Sequence, residues 1–451
     1  MTGLVRKKKM SDIVRAGGLP ARPRFDPGPV QRHVLPNGLC LIVRECHSHP
    51  LVSVEAVVRA GAHLDEEQTA GLAALSGRLL DSGAGGSTAE EISREVESLG
   101  GMMMTHGGYL LSGISLSMSS DDLETALELP ARMLIEPDND AGEFEKRRQR
   151  VLADIVADKD NPRSVALKRF HELAFAGHPR HRPVEGYEET LRALTPEHVR
   201  RFYAEHYSPA VTCLAVSGDV DSSAVLARVT SLFGSWERGG AVNPPLPPDP
   251  ASLAGRGLVA ERIPMRKEQV NIYLGHPGIR RNDPDFFPLK VMDKILGQGF
   301  TSRLNSRLRD DLGLAYSTFG SITSSAGVDP GAFLCYIGTS PENEARAVEG
   351  IFTEIRRIRE EPVPDEEVDA ARRYLTGNYI FSLETNQEIS GYLLDAELNG
   401  LPLDHIQHYV ENIERVDASR IIEAAAAHLD PDNLVLVAAG ANRGPGFTPS
   451  V

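Results

Sequence analysis

Cysteine is scarce in this chain: Cys40, Cys46, Cys213 and Cys335 are the only four among 451 residues. None forms a Cys-x-x-Cys pair, and so few thiols cannot make the disulfide framework of a small secreted domain, so all four are expected to be reduced. Long apolar runs are missing too. Nothing approaches the roughly 20 consecutive apolar residues that a membrane-spanning helix needs, and no apolar stretch of signal-peptide length follows the N-terminus. A cytoplasmic protein is therefore expected. Positive charge is in deficit, with a formal net charge of -15. Nucleic-acid binding requires a basic face that displaces counterions from phosphates, so that class of partner is excluded. Only the first 24 residues are basic, with Arg6, Lys7, Lys8, Lys9, Arg15, Arg22 and Arg24 against Asp12, and residues 1–30 read as a basic flexible tail. Neither a Gly-x-Ser-x-Gly nucleophile motif nor a phosphate loop occurs.

What is present fits an ordinary globular chain, 41% hydrophobic and 25% charged. A single core stops growing at roughly 250 to 300 residues, so at least two domains are expected. The clearest break is Glu237 to Gly257, where five prolines interrupt any regular pattern. It reads as a linker over 237–257, separating one domain at 31–236 from another at 258–445. The two halves look related. TPEHVRRFYAEHYSPAVTCLAVSGDV and VDASRIIEAAAAHLDPDNLVLVAAGA share the order helix, proline turn and apolar strand. At a constant offset of 222, Val199 falls on Ile421, Pro209 on Pro431 and Gly218 on Gly440, which indicates an internal duplication. Alternating β-branched segments (GLCLIVREC, VSVEAVVRAG, VNIYLGHPG) mix with one-sided helical stretches such as EARAVEGIFTEIRRIRE. The expected fold class is α+β, with each half a sandwich of helices on a sheet.

The segment Leu35 to Gly83, with its Asn-Gly turn, two strands and Gly-Leu helix entry, resembles the opening of the insulinase, pitrilysin and mitochondrial-processing-peptidase family. AFAGHPRHRPVEGYEETLRALTPEHVRRFYAEHYSP matches that family's His-Pro loop, Gly turn and Thr-Pro helix, and LGQGFTSRLNSRLRDDLGLAYS adds a match in the second half. The resemblance implies two homologous halves forming one side of a clamshell. It also implies an inverted zinc motif, His-x-x-Glu-His, in which two histidines four apart share one helical face and the glutamate activates the metal-bound water. Here the five matching residues are Ala74, Leu75, Ser76, Gly77 and Arg78. Both histidines and the base are missing, and the family's third-ligand position falls on Asp154, which alone cannot hold zinc against water. No metal is expected in this chain. The histidines of HELAFAGHPRHRP, His171, His178 and His181, are expected to be satisfied surface residues of a loop. His106 is placed on an edge strand near the cleft, as an exposed strand residue or a substrate contact.

In the second half, Arg309 and Tyr316 match the paired Arg and Tyr that the family carries there. The resemblance implies that they reach a peptide lying over a zinc held elsewhere. A tyrosine hydroxyl can stabilise the negative charge that hydrolysis builds on the carbonyl oxygen, and a guanidinium can hold a carbonyl or carboxylate in register. A helix-capping arginine and a packed tyrosine are the plainer alternative. Gly297 and Gly299 in LGQGF are expected to end the preceding helix. The functional expectation is a zinc-less subunit that binds unfolded peptide for a homologous, zinc-bearing partner. The alternative is an inert scaffold subunit.

Overall fold

The computed structural model describes residues 25–237 and 246–441. Most of the basic tail expected at 1–30, and residues 238–245 of the expected linker, lie outside the described residues.

The first of two main sheets contains β1 (Val30–Val34), β2 (Cys40–Glu45), β3 (Leu51–Val58), β6 (Met102–Gly107), β7 (Ser112–Ser119) and β8 (Thr212–Gly218), in the order β1-β2-β8-β3-β7-β6. Between them, β4 (Gly83–Ala84) and β5 (Ser87–Thr88) form a small separate ladder. The second sheet contains β9 (Val259–Pro264), β10 (Val270–Pro277), β11 (Ala315–Ser321), β12 (Ala332–Thr339) and β13 (Val435–Gly440), in the order β11-β12-β10-β13-β9. Leaving out β1, the two orders are the same. In each sheet the one parallel pair joins the first strand to the last, β2 to β8 and β9 to β13.

The duplication read from the offset of 222 thus extends to whole elements. The Pro196–His206 helix corresponds to Ala418–His428, and Val199 and Ile421 are both buried. Gly218 and Gly440 close the equivalent strands at φ 143° and 144°. A Cβ at either would stand 2.1 Å from a backbone oxygen, that of Leu51 or of Gln269. Only glycine fits both the dihedral and the space.

Each half has its own core. Residues such as Leu41, Val54, Leu75, Leu116 and Leu127 form the first, and Ile272, Leu289, Phe333, Ile351 and Leu436 the second. The remaining face of each sheet is covered by a helix from the other half. The Pro162–Ala174 helix, begun by Asn161, whose side chain accepts from Arg163 N, and by Pro162 in its first turn, lays Ala166 and Phe170 on Tyr273, Val437 and Ala439. The Asn386–Leu398 helix, begun by a Thr385–Glu388 capping box, lays Ile389, Leu393 and Leu394 on Ile42, Val57 and Ala215. Both faces of β3 are therefore covered, and seven of its eight residues are buried. Each valine, leucine, isoleucine or phenylalanine so covered contributes about 1.5–3 kcal/mol over exposure. Ion pairs follow the exchange: Arg32 grips both carboxylate oxygens of Glu397 at 2.7 Å, and Arg169 those of Glu261 at 2.9 Å. Among the described residues no helix is long and apolar enough to cross a membrane.

Candidate functional site

The Leu72–Arg78 helix carries the five residues that match the zinc motif. Its N-terminus is held by Asp65, whose carboxylate accepts from Gly71 N at 2.8 Å and Ala73 N at 2.9 Å. Burial raises the Asp65 carboxyl to about 7, although those two amides and Arg182 favour its charged form. Gly71, at φ 96°, lets the chain enter the helix directly against Glu185, whose carbonyl would lie 2.5 Å from a Cβ.

The far side of this helix rests on the backbone of β6. A Cβ on Gly77 would come within 2.5 Å of the His106 carbonyl and 2.8 Å of the Gly107 Cα, and a Cβ on Gly107 within 2.4 Å of the Ala74 carbonyl. In this arrangement the general-base position has no room for a side chain. Ala74 is buried and offers no donor atom. Arg78 turns to Glu185 and forms an ion pair at 2.9 Å. Asp154 is exposed on the Ala141–Asp158 helix and shares with Glu185 the wall of a cavity of ≈ 550 Å³. The chemistry of these four positions does not fit zinc. Among the described residues the only three-residue group of metal-ligand type is Asp283, Asp285 and His428, in the second half, where His428 Nε2 already contacts Asp285 Oδ2 at 3.0 Å.

The histidines near this region differ from expectation in placement. His171 is on the Pro162–Ala174 helix rather than in a loop, stacked on Phe175 at 5.5 Å between ring centres, and burial lowers its pKa to about 4. His178 is 2% exposed, so it is not a surface residue. Its Nδ1 accepts from Arg180 N, and its Nε2 is 3.9 Å from Asp329. The surface expectation failed because Asp329 folds in from the second half and is bound there by Arg180 and Tyr109, a contact that local sequence does not display. His181 is half-buried, with Nε2 3.2 Å from Glu67. His106 lies on β6, which is an edge of its sheet; beside it Met102 and Met104 are 72% and 68% exposed.

Arg309 and Tyr316 flank the start of the equivalent edge, β11. The Asn305–Asp311 segment is a π-helical turn, a form that recurs at functional sites. Leu314 N donates to Leu308 O at 2.7 Å, which draws the chain of Tyr316 back beside that of Arg309. The β11–β12 register skips between Ala315, opposite Thr339, and Ser317, opposite Gly338. Tyr316 is the extra residue of this bulge, and its side chain is 83% exposed. Bulges at sheet edges re-aim a side chain away from the ladder. The Arg309 guanidinium donates to Asp310 at 2.8 Å and lies 5.3 Å from the ring centre of Phe300, itself 78% exposed. Phe300 was visible in LGQGF but carried no motif of its own.

The other end of β11 is pinned. Asp293, wholly buried on the Phe286–Leu296 helix, accepts from Ser321 Oγ, Ile322 N, Thr323 N and Thr323 Oγ1 at 2.6–3.0 Å. Gly297 ends that helix and bridges to Gly320 of β11, where a Cβ would lie 2.3 Å from the Gly320 nitrogen. The helix thus ends at Gly297 because strand backbone touches it there.

Comparison with known proteins bears on the family and the fold. Residues 41–188 match the sequence family described as Insulinase (Peptidase family M16), and residues 193–375 its companion, the Peptidase M16 inactive domain. An "Uncharacterized zinc protease" of Streptomyces coelicolor is 27% identical over 376 residues, covering 82% of this chain and 81% of its own. Another from Mycobacterium tuberculosis is 26% identical over 417 residues, 91% of this chain and 94% of its own. Among solved structures, the peptidase M16 inactive domain from Pseudomonas fluorescens superposes with a TM-score of 0.85 at 23% identity, covering 93% of this chain and 100% of that one. A protease from Helicobacter pylori gives 0.86 at 20% identity, covering 92% and 100%. With two adjacent family matches along most of its length and a duplicated sheet-and-helix fold, this chain belongs to the insulinase family, peptidase family M16.

Proposed function

We propose that this chain is the zinc-less subunit of a two-subunit peptidase, binding and positioning unfolded peptide for a homologous partner that holds the zinc. One contrast carries the reading. The helix that matches the zinc motif has no ligand at Ala74, Gly77 or Arg78 and no space for a side chain at Gly77, while Tyr316 stands out from a bulge on a sheet edge. The edge of β6 suits an extended peptide, because an added strand gains affinity from backbone hydrogen bonds with modest sequence demands. The chain's net charge of -15 favours basic peptides. In the closed complex Tyr316 would donate to the carbonyl oxygen as charge builds on it, and Arg309 would hold the peptide in register.

One observation favours the alternative of an inert scaffold: Arg309 is already engaged by Asp310 and Phe300, as a purely structural arginine would be. Co-purification with a partner carrying His-x-x-Glu-His, followed by peptide cleavage assays, separates the two. Loss of one donor to the developing oxyanion costs on the order of a hundredfold in turnover, and that is the loss expected for Tyr316→Phe; Arg309→Ala is expected to raise KM. Unchanged kinetics in both variants would leave the scaffold.

A further inference from the structure

All four cysteines are free thiols, and two of them face each other. Cys40 opens β2 and Cys213 is the second residue of β8, and the parallel register sets one directly opposite the other. Both side chains lie on the same face of the first sheet, the one that the Asn386–Leu398 helix covers with Leu393 and Leu394. Neighbouring strands run roughly 4.7–4.9 Å apart, inside the Cα separation of about 4.4–6.8 Å that a disulfide spans. A disulfide holds its β-carbons about 3.5–4.5 Å apart, so only a small closing movement is needed. The other two thiols have no such neighbour. Cys46 lies six residues beyond Cys40, roughly 20 Å along an extended chain, and its sulfur contacts Ser48 Oγ at 3.2 Å. Cys335 is fully buried on β12, in the other sheet.

The two thiols are unequal. Cys40 is half-buried, whereas Cys213 is 5% exposed. A hydrogen bond from Cys213 holds the Cys40 thiol below its usual range, with help from the Arg32 guanidinium and against burial and Glu397. The Cys213 thiol, bonded to Cys40 and buried, stands well above its own. A partly exposed thiol beside a cation is the reactive kind, and a second thiol poised next to it can resolve the oxidised product. We propose that Cys40 and Cys213 form a reversible thiol switch, in which a hydroperoxide oxidises Cys40 and Cys213 then closes an intrachain disulfide. The Cys40 sulfur attacks the O–O bond and takes the terminal oxygen, giving a sulfenic acid and releasing water or an alcohol. The Cys213 sulfur next attacks that of Cys40, the S–O bond breaks, and the hydroxyl leaves as water with the Cys213 proton. The two thiols thus supply the two electrons that reduce one hydroperoxide. The new bond would tie β2 to β8 beside the Arg32–Glu397 ion pair, where the helix from the second half is gripped.

The test exposes the full, reduced chain to hydrogen peroxide, then quenches, unfolds and alkylates it. Two of the four thiols are expected to disappear, and peptide mapping without reductant should join the Cys40 peptide to the Cys213 peptide. Dithiothreitol should restore both thiols. In Cys213→Ala, dimedone is expected to trap a sulfenic acid at Cys40, whereas in Cys40→Ala the Cys213 thiol should survive the same exposure. Circular dichroism checks the fold of both variants, and the wild-type map decides alone if either fails to fold. Four surviving thiols, under conditions that consume free glutathione, overturn the proposal. So does loss of a single thiol without a link, a disulfide joining any other pair, or one that forms only after unfolding in urea. Equal dimedone labelling of Cys213 in folded Cys40→Ala would overturn the assigned order of attack and with it the proposal.

Discussion

The two halves share a strand order and differ at the same edge. In the first, the Leu72–Arg78 helix closes down on β6 until only glycine fits at positions 77 and 107. In the second, Asp293 and Gly297 hold the end of β11 while its beginning bulges outward and presents Tyr316. The same topology thus supports an edge strand closed by a helix at its His106–Gly107 end and one that presents a side chain at its start. Which of the two a half becomes depends on a few residues at the junction of helix and edge strand, not on the sheet behind it.

The largest test of this comparison is to separate the halves. A chain of residues 25–237 retains its own core but leaves Ile42, Val57 and Ala215 uncovered. It is expected to lose cooperative unfolding and to bind a hydrophobic dye, as read by urea denaturation and fluorescence; a cooperative, dye-free fragment would show that the exchange of helices is dispensable. Next is Gly77→Glu, which restores the missing base in name. With strand backbone 2.5 Å from the new Cβ, overpacking should cost about 2–3 kcal/mol in urea-derived stability. An unperturbed midpoint would mean that the helix lifts freely from β6.

Comparable in size but opposite in sign is Glu55→Gln. Burial raises the Glu55 carboxyl to about 7 from an ordinary 4.5. Between those values the folded state keeps a proton that the unfolded state has released, so the wild-type chain loses stability as pH rises from about 4.5 to about 7. The glutamine variant should be more stable at pH 8, by on the order of 3 kcal/mol, with the difference fading towards pH 4.5; an equal slope with pH in both proteins would remove Glu55 as the cause. The smallest effect is expected from Arg78→Ala. Its ion pair with Glu185 is partly exposed on both sides, and such pairs contribute about 0–1 kcal/mol. A larger loss would give Arg78 a structural role that its surroundings do not suggest.

Much of the architecture is legible in the sequence because it is local. The Thr-Pro helix start, the strand-ending glycines and the shared offset of 222 are all read directly from the sequence, and each maps onto an element. The empty zinc motif is legible for the same reason. The space it left is not: that strand β6 fills it depends on a contact between Gly77 and Gly107, which lie on separate elements. His178 was misplaced on the surface because Asp329, far along the chain, shields it. The parallel strand β9 follows the proline-rich segment without a strong alternating pattern, and its partner β13 is near the end of the second half. Glu55 reads as a solvent-facing strand residue until the Asn386–Leu398 helix from the other half is placed over it.

That reciprocal covering also sets an order on biosynthesis. A ribosome adds roughly 5–20 residues per second, so the first sheet, complete once β8 has emerged, must wait some tens of seconds at the slower rates for the Asn386–Leu398 helix that covers Ile42 and Ala215. During that interval the nascent chain displays an apolar sheet face and cannot complete its own fold. The second sheet has no such wait, since the Pro162–Ala174 helix that covers it is already made. The half made first thus depends on a segment of the half made second, and it is during that wait that a chaperone would have work to do.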